Sequence, residues 1–292
     1  MPVDDVLLFL QRSIDTAPRA SHAALFVLQA LPGDRRDGGV TELVVLSYNI
    51  HRGVGLDRRL DLDRVAEVIA ETSSDVVGLQ EVIREEGGAS ADQAAYLASR
   101  LGMTLVMGVT RPHGRGGTYG NAVLARWPVL GSVTHDLTFK TREPRACLRV
   151  DLDVGDVPVH VFVSHFGIAM RERRDQVRRL ATFIRASGDL AGPRVLLGDF
   201  NEWHRGPVSR RLRKEFPSRM RRMRRTHPAL FPLFALDRIY WDRELEGQEF
   251  HVHRSRLARV ASDHLPVVAR LRVRHARGAQ PYVVGAALPP PE

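Results

Sequence analysis

The sequence predicts an α+β (α/β) protein in which mainly antiparallel sheets are covered by helices in layers. Two observations lead to this class. Apolar segments of strand length recur along the chain and several follow one another directly, whereas few stretches have helical periodicity. Consecutive strands pair most simply as hairpins, and the resulting sheets bury an apolar face under helices.

The regular pattern begins at Thr41. ELVVLSYNI, residues 42–50, is apolar and predicts a strand, and DVVGLQEV, residues 75–82, predicts another. Between them, RLDLDRVAEVIAET has the apolar spacing of one helix face, at Leu62, Val65, Val68 and Ile69. The domain is therefore expected to begin as strand, helix, strand.

The remaining strands and a second helix follow in the same way. Strand composition occurs in MTLVMG, GNAVLARWPV, ACLRVDLDV, VPVHVFVSHF, RVLLGDF, ALDRIYW and HLPVVARLRV. Gly-Asp in DVGDVPV is typical of a hairpin turn. RERRDQVRRLATFIRAS predicts a helix between two of these strands.

We expect three regions along the chain. Residues 1–40 end in LPGDRRDGGV, which is typical of a linker, and their apolar positions fit one amphipathic helix in an N-terminal extension. The main domain is predicted over residues 41–274. Residues 275–292 end in ALPPPE and are expected to form a flexible tail.

Composition narrows the class of protein. The chain has 292 residues with 43% hydrophobic content, and none of its apolar runs approaches the roughly 20 residues of a membrane-spanning helix. Cys147 is the only cysteine, which excludes an intrachain disulfide. The first residues lack the features of a secretory signal. We expect a cytoplasmic protein, with peripheral attachment to a membrane as the alternative.

The charge favours a polyanionic partner. The formal net charge is +9 and the pI about 10.6, values typical of proteins that bind nucleic acid or an acidic membrane surface. Basic residues cluster in RRLRKEFPSRMRRMRR, residues 210–225. This run is either a phosphate-binding patch or a solvated helix face or loop.

Polar side chains lie where predicted strands end or begin. Four strands end in Asn49, in Glu81, in His165, and in Asp199 with Asn201; Asp237 opens LDRIYW, and Asp263 with His264 precedes the last strand. If these ends converge, the site combines carboxylates, two imidazoles and two amides. A set rich in carboxylate oxygen and without thiolate suits Mg²⁺ or Mn²⁺ better than zinc.

Attack of water on a phosphoester would use every residue type in this set. A cation neutralises phosphoryl oxygens, a carboxylate or imidazole takes the proton from water, and donors bind the developing charge. Each residue also has a structural alternative. Asp and Asn at strand ends commonly form turns, and Asp237 beside Arg238 could form a surface ion pair. Chance would have to place all of them at strand ends, so the catalytic interpretation is favoured.

Six ordered motifs carry a resemblance to a known family: YNIH at 48–51, GLQEV at 78–82, SHF at 164–166, GDFN at 198–201, LDRIY at 236–240 and SDHLP at 262–266. Over residues 41–274 the chain resembles the endonuclease/exonuclease/phosphatase superfamily (DNase I-like), and within it small bacterial members of poorly defined substrate. The resemblance implies a four-layer αββα sandwich with the site at one edge of two packed sheets. It also implies Mg²⁺-dependent phosphoester hydrolysis.

The same resemblance implies roles for individual residues. Glu81 is implied as the principal metal ligand, with Asn49 and Asp263 near the metal or its waters. His264, oriented by Asp237, is implied to contact the phosphate. The remaining roles are water activation by Asp199, donation to the phosphoryl oxygen by Asn201, transition-state stabilisation by His165, and substrate phosphate binding by Arg145. Members differ over whether the residue at Asp199 or at His264 is the base.

Fold and mechanism do not select the substrate. The overall charge and the basic run favour a nuclease acting on nucleic acid. The alternative is a phosphodiesterase or phosphatase acting on phospholipid or inositol phosphate at an anionic membrane. A non-catalytic module that binds polyanions is the third hypothesis, weakened because the expected site residues are all present.

Overall fold

The protein is described by a computed structural model that covers residues 36–37, 39–85, 92–114, 116–187, 190–217 and 224–275. Its strands are β1 Arg36–Asp37, β2 Val40–Asn49, β3 Val76–Arg84, β4 Thr104–His113, β5 Gly117–Ala125, β6 Val129–Asp136, β7 Ala146–Asp153, β8 Pro158–His165, β9 Arg194–Asp199, β10 Asp237–Trp241, β11 Leu245–Val252 and β12 Val267–Arg274. Its helices are α1 Leu62–Glu71, α2 Gln93–Leu101, α3 Met170–Ala186, α4 Pro207–Glu215 and α5 Ala258–Ala261, with a 3-10 turn at His51–Gly53.

The strands form two sheets. The first has the order β11-β12-β2-β3-β5-β4, with the short β1 pairing with the start of β2, and the second has the order β10-β9-β8-β7-β6. Only β2 with β3 and β8 with β9 pair in parallel among the described strands. Both sheets are therefore mainly antiparallel, as the sequence predicts.

Three apolar cores separate four layers. Along β2, Leu43 and Val45 point into the core between the two sheets, whereas Val44 and Leu46 point into the core beneath the first helix layer. The second sheet likewise faces α3 and α4 across a third core that contains Leu196. Side chains alternate faces along a strand, so continuous apolar runs are what sheets covered on both sides require. The predicted αββα sandwich is confirmed.

Local chemistry explains several element boundaries. Asp61 and Asp92 cap α1 and α2 by accepting hydrogen bonds from backbone N–H groups three residues on. At Gly155-Asp156, both residues have positive φ and join β7 to β8, which confirms the predicted hairpin turn.

Some elements were missed. GNAVLARWPV was expected to be one strand, but β5 ends at Ala125 and β6 begins after Pro128, because proline lacks the N–H that a central strand needs. The edge strand β11 is largely exposed, so it lacks the apolar run that identifies the others. The nine-residue helix α2 was not predicted either.

The terminal predictions lie largely outside the described residues. This applies to the amphipathic helix in residues 1–40 and to the tail at 275–292, and both stay predictions. The basic run is described only up to 217 and from 224, and its first part forms α4. None of the helices in the described parts of the chain is both long enough and apolar enough to cross a membrane.

Candidate active site

The ends of strands from both sheets meet at one edge of the sandwich. In the second sheet, Asp199 lies directly opposite His165 on β8 and opposite Asp237 on β10. From the first sheet, Asn49 reaches across, and its Nδ2 lies 3.2 Å from both Glu81 Oε1 and Asp199 Oδ2. Asn49 therefore joins the two sheets at the site.

Backbone geometry fixes the orientation of Asn49 and Glu81. The backbone N–H of His51 donates to Asn49 Oδ1, so the amide nitrogen is the atom that faces the carboxylates. Glu81 has a φ of 59° and lies at a bulge where the pairing of β3 with β5 shifts between Leu79 and Val82. Bulges redirect side chains, and this one turns Glu81 toward Asn49.

Asp199 is held by the strand end that carries it. Its Oδ1 accepts a hydrogen bond from the backbone N–H of Asn201, which leaves Oδ2 facing the site. The preceding Gly198 has a φ of 146°, and a Cβ there would lie 1.8 Å from Ser164 O. Only glycine allows β9 to approach β8 this closely just before the carboxylate.

His264 lies between two aspartates. Its Nδ1 is 2.8 Å from Asp237 Oδ2, and its Nε2 is 3.7 Å from Asp199 Oδ2. Burial lowers the tendency of the ring to ionise, but the charges of Asp237 and Asp199 outweigh it and raise the pKa of His264 to about 10. The ring is therefore an imidazolium at neutral pH.

Asp199 is a buried carboxylate, and burial favours its neutral, protonated form. Burial raises its pKa to about 6, although the charge of His264 counteracts the rise. At neutral pH, Asp199 is a carboxylate of unusual basicity beside a cationic imidazole.

His165 is a neutral imidazole in this site. Arg145 Nη1 lies 3.2 Å from Nδ1 of His165, and because a guanidinium only donates, Nδ1 is the unprotonated acceptor. The protonated Nε2 then faces Asp199 Oδ2 at 3.5 Å. Burial, together with the charge of Arg145, places the pKa of His165 well below its ordinary value.

Arg145 and Asn201 both pack around His165. Arg145 is a buried side chain, and Glu143 pairs with its Nη2 at 2.9 Å. Asn201 Nδ2 donates to Phe166 O at 2.8 Å. It also lies 3.3 Å from His165 Nε2, but because that nitrogen carries the ring proton, the contact is not a hydrogen bond. A phosphoryl oxygen bound by Asn201 would share this donor.

Asp263 occupies the side of the site formed by two histidines. Its carboxylate oxygens lie 3.8 Å from His51 Nδ1 and 3.7 Å from His227 Nε2. Burial would raise its pKa, but the hydrogen bond to His227 and the surrounding imidazole charges lower it to about 2. Ser262 fixes the loop by donating its hydroxyl to Asn49 O at 2.8 Å.

These donors fit a hard divalent cation. Ligand atoms of Asp199, Asp237 and His264 lie within 4.8 Å of one another, as do those of His227, Asp263 and His264. Because the imidazolium of His264 has no free lone pair, the carboxylates of these groups are the atoms that would bind the cation. Glu81 belongs to neither group, but its carboxylate is partly exposed and contacts Asn49. Mg²⁺ is bound by one or two carboxylates and retains several waters, so an open site beside Glu81 suits it.

Several contributors to the site were not predicted. Arg238 does not form a surface pair with Asp237; it is buried, and its Nη1 donates to Glu202 Oε2 at 2.9 Å. Gln176 Oε1 accepts from the Gly167 backbone and fixes the loop after His165. His227 lies in THPALFPLF, a segment whose sequence does not indicate that it contributes to the site. In the structure its ring faces that of His264, with ring centroids 4.7 Å apart.

A family model for the endonuclease/exonuclease/phosphatase family matches residues 46–264, which is more than half of the chain. The chain belongs to this family. Members of the family are phosphoester hydrolases that generally depend on a divalent metal. The match includes all eight residues predicted for catalysis and metal binding, from Asn49 to His264.

Individual family members are moderately similar. An uncharacterised protein from Escherichia coli K12, YbhP, is 30% identical over 212 residues, which cover 67% of this chain and 83% of that protein. The crystal structure of an endonuclease/exonuclease/phosphatase from Beutenbergia cavernae has 26% identity and a TM-score of 0.64, covering 80% of this chain and 72% of that one. D. rerio TDP2 complexed with single strand DNA product has 16% identity and a TM-score of 0.60, covering 79% and 98%, and shows the fold alone.

Proposed function

We propose that this protein is a Mg²⁺- or Mn²⁺-dependent phosphoester hydrolase in which Asp199 activates water and His264 binds the phosphoryl group. The observation that carries the proposal is the line Asp237–His264–Asp199. One carboxylate holds Nδ1 of the ring at 2.8 Å, and the other ring nitrogen faces the second carboxylate at 3.7 Å. The imidazolium N–H of His264 and the basic carboxylate oxygen of Asp199 therefore lie close enough to act on the same phosphate and its attacking water.

The two charged groups suggest a division of roles. Asp199 has a pKa of about 6 and His264 one of about 10, so at neutral pH the carboxylate can accept a proton and the imidazolium cannot. We therefore assign water activation to Asp199. His264 donates to a phosphoryl or leaving oxygen, and Asp237 stabilises its charge and fixes its orientation.

The neighbouring groups complete the proposal. His165 presents its Nε2–H beside Asp199, and Arg145 maintains that tautomer through Nδ1. Asn201 supplies a further N–H to a phosphoryl oxygen, and Arg145 strengthens the positive potential that a phosphate meets. Hydrogen bonds aimed at developing negative charge are the largest single contribution to many such reactions.

Glu81 would hold the cation, with Asn49 and Asp263 near it or its waters. When bound, the cation would neutralise phosphoryl oxygen charge and polarise the phosphorus for attack. Asn49 would act by positioning, because its amide nitrogen faces both Glu81 and Asp199.

Two substrate classes have support. Nucleic acid is supported by the net charge of +9 and by the similarity in fold to TDP2, which was solved with single strand DNA product. In the described part of the basic run, however, Glu215 pairs with Arg185 and Arg211, which reduces the net charge there. A phospholipid is supported by exposed apolar side chains beside the site, among them Ile168, Trp203 and Phe231.

A substrate panel tests the proposal. The full chain with Mg²⁺ is assayed on duplex, single-stranded and abasic DNA, RNA, inositol phosphates and phospholipid vesicles, with Asp199→Ala and His264→Ala as variants. We expect hydrolysis of at least one class, loss of that activity in both variants, and inhibition by a chelator. Absence of turnover, or turnover that both variants retain, would contradict it.

A further inference from the structure

Exposed apolar side chains are concentrated around the active site. Of the eleven large apolar residues that are well exposed in the described parts of the chain, Val109 and Val133 lie on strands β4 and β6. The other nine lie on segments that flank site residues, and we call them the apolar rim: Leu56, Leu60, Ile168, Met170, Trp203, Leu230, Phe231, Leu233 and Val260. Single exposed apolar residues scattered over a surface are ordinary, whereas apolar residues clustered in one region mark an interaction surface.

Each rim segment is attached to the catalytic edge. Ile168 and Met170 follow His165, and Trp203 follows Asn201. The segment with Leu230 and Phe231 lies between His227 and Asp237, and Val260 shortly precedes Asp263. The strand ends that present the polar site therefore continue into loops that present apolar side chains.

Contacts join these segments into one border. The rings of Trp203 and Phe234 have centroids 5.0 Å apart, and Ile168 and Met170 share a surface groove with Trp203. Across the other side, the backbone N–H of Leu56 donates to Val260 O at 3.0 Å. Arg259 Nη1 donates to Leu230 O at 3.3 Å.

Arginines are interleaved with the rim. Exposed arginines occur between Leu56 and Leu60, directly after Met170, and two residues after Trp203. They are Arg58, Arg59, Arg171 and Arg205. Apolar side chains alternating with cationic ones are typical of protein surfaces that enter the headgroup region of an anionic bilayer.

We propose that the apolar rim docks this protein on the surface of an anionic phospholipid bilayer, with the active site facing the headgroups. Most rim side chains are aliphatic, and aliphatic side chains bury their apolar surface among lipid acyl chains. Single-stranded nucleic acid instead binds by stacking its bases on aromatic rings. The substrate would then be a phosphoester at the membrane interface. This last step rests on the proposed hydrolase function, but the docking itself does not.

Vesicle binding tests the docking without turnover. The full chain is sedimented with vesicles of phosphatidylcholine alone and of phosphatidylcholine mixed with phosphatidylglycerol. We expect binding to the mixed vesicles that weakens with added salt. Trp203 is 60% exposed, whereas Trp127 and Trp241 are 5% and 7% exposed, so a blue shift of tryptophan fluorescence on binding reports the rim directly.

Matched variants locate the surface. Leu230→Ser combined with Phe231→Ser should reduce vesicle binding about tenfold or more, since two large apolar groups no longer leave water. Val109→Ser combined with Val133→Ser, at 44% and 42% exposure, is the control and should bind as the wild type does. Asp199→Ala should also bind normally, so failure of hydrolysis and failure of docking are distinguishable.

Five results would overturn the proposal. These are absence of binding to mixed vesicles, an equal loss in the Val109 and Val133 control, and an unchanged Trp203 spectrum on binding. The fourth is a wild-type dimer by light scattering that the rim variant dissociates, because the rim would then be covered by a second copy. The fifth is a loss of affinity for a single-stranded oligonucleotide in the rim variant that is as large as its loss of affinity for vesicles. That result would assign the surface to nucleic acid instead.

Discussion

Nδ1 of His264 lies 2.8 Å from Oδ2 of Asp237, and both residues are buried. An isolated buried imidazole would lose its charge, and here the partner carboxylate keeps it. The pKa of His264 is raised from 6.5 to about 10, so the charged pair stabilises the fold fully below pH 6.5. That contribution is lost as the pH rises through about 10.

Replacing Asp237 should therefore lower the pKa of His264. In Asp237→Asn the ring loses its nearest negative charge, and hydrolysis should fall by a factor of roughly 10² to 10⁴. An NMR titration of the His264 ring measures the pKa directly. Asp242→Asn is the matched control, because Asp242 follows the other end of β10 and pairs with Arg194. An unchanged His264 titration in Asp237→Asn would contradict the role of the pair.

The buried pair of Arg238 and Glu202 should be essential for stability. Arg238→Met leaves the Glu202 carboxylate buried without its cation, which should cost about 3–5 kcal/mol of unfolding free energy. Arg270→Met, which removes a partly exposed pair with Glu42, should cost less than about 1 kcal/mol. Urea unfolding measures both variants, and equal small losses would show that the buried pair is dispensable.

Glu202 should also make stability depend on pH. Burial raises its pKa, but hydrogen bonds from Ser209 and the charge of Arg238 outweigh this and lower it from 4.5. Its contribution is thus fully present above pH 4.5 and is lost as the pH falls through the lower folded value. The stability difference between wild type and Glu202→Gln should narrow on acidification, and a constant difference would contradict the shift.

Gly198 should not tolerate a side chain. In Gly198→Ala the new Cβ meets Ser164 O at a φ of 146°, which should cost about 3 kcal/mol and displace Asp199. Gly131→Ala is the control, since its Cβ would meet only Asp151 Oδ2 at 3.9 Å. Thermal unfolding and activity are both measured, and wild-type behaviour of Gly198→Ala would show that β9 can move away from β8.

Cys147 should be unreactive in the native protein. It is fully buried on β7, and burial raises the pKa of its thiol, so thiolate is scarce at neutral pH. A thiol reagent should modify it only at the rate of unfolding, and urea should accelerate the reaction. Rapid stoichiometric labelling without denaturant would indicate that β7 opens in the native state.

The sequence predicted the structure best where a residue type occurs at a position for a single physical reason. Continuous apolar runs predicted the doubly covered strands, and the polar residues that ended them all lie at one edge. Gly155-Asp156 predicted its turn because both positions need positive φ. These signals are local, and the fold preserves them.

What sequence could not provide is the pairing of distant side chains. The alternative of a surface ion pair between Asp237 and Arg238 was wrong, because neighbouring residues on a strand face opposite sides and Arg238 turns inward to Glu202. The apolar rim was not foreseen either. Its residues lie in five separate segments, none of which stands out in the sequence, and only tertiary folding brings them around one site.

The metal dependence of hydrolysis tests the central claim most directly. The initial rate on a chromogenic phosphodiester is measured against Mg²⁺ concentration for the wild type, Glu81→Gln and the surface control Glu67→Gln. We predict a rate that saturates with Mg²⁺, disappears with a chelator, and requires more Mg²⁺ in Glu81→Gln but not in Glu67→Gln. A wild-type rate that is insensitive to the chelator, or a Mg²⁺ requirement that Glu81→Gln leaves unchanged, would contradict the account.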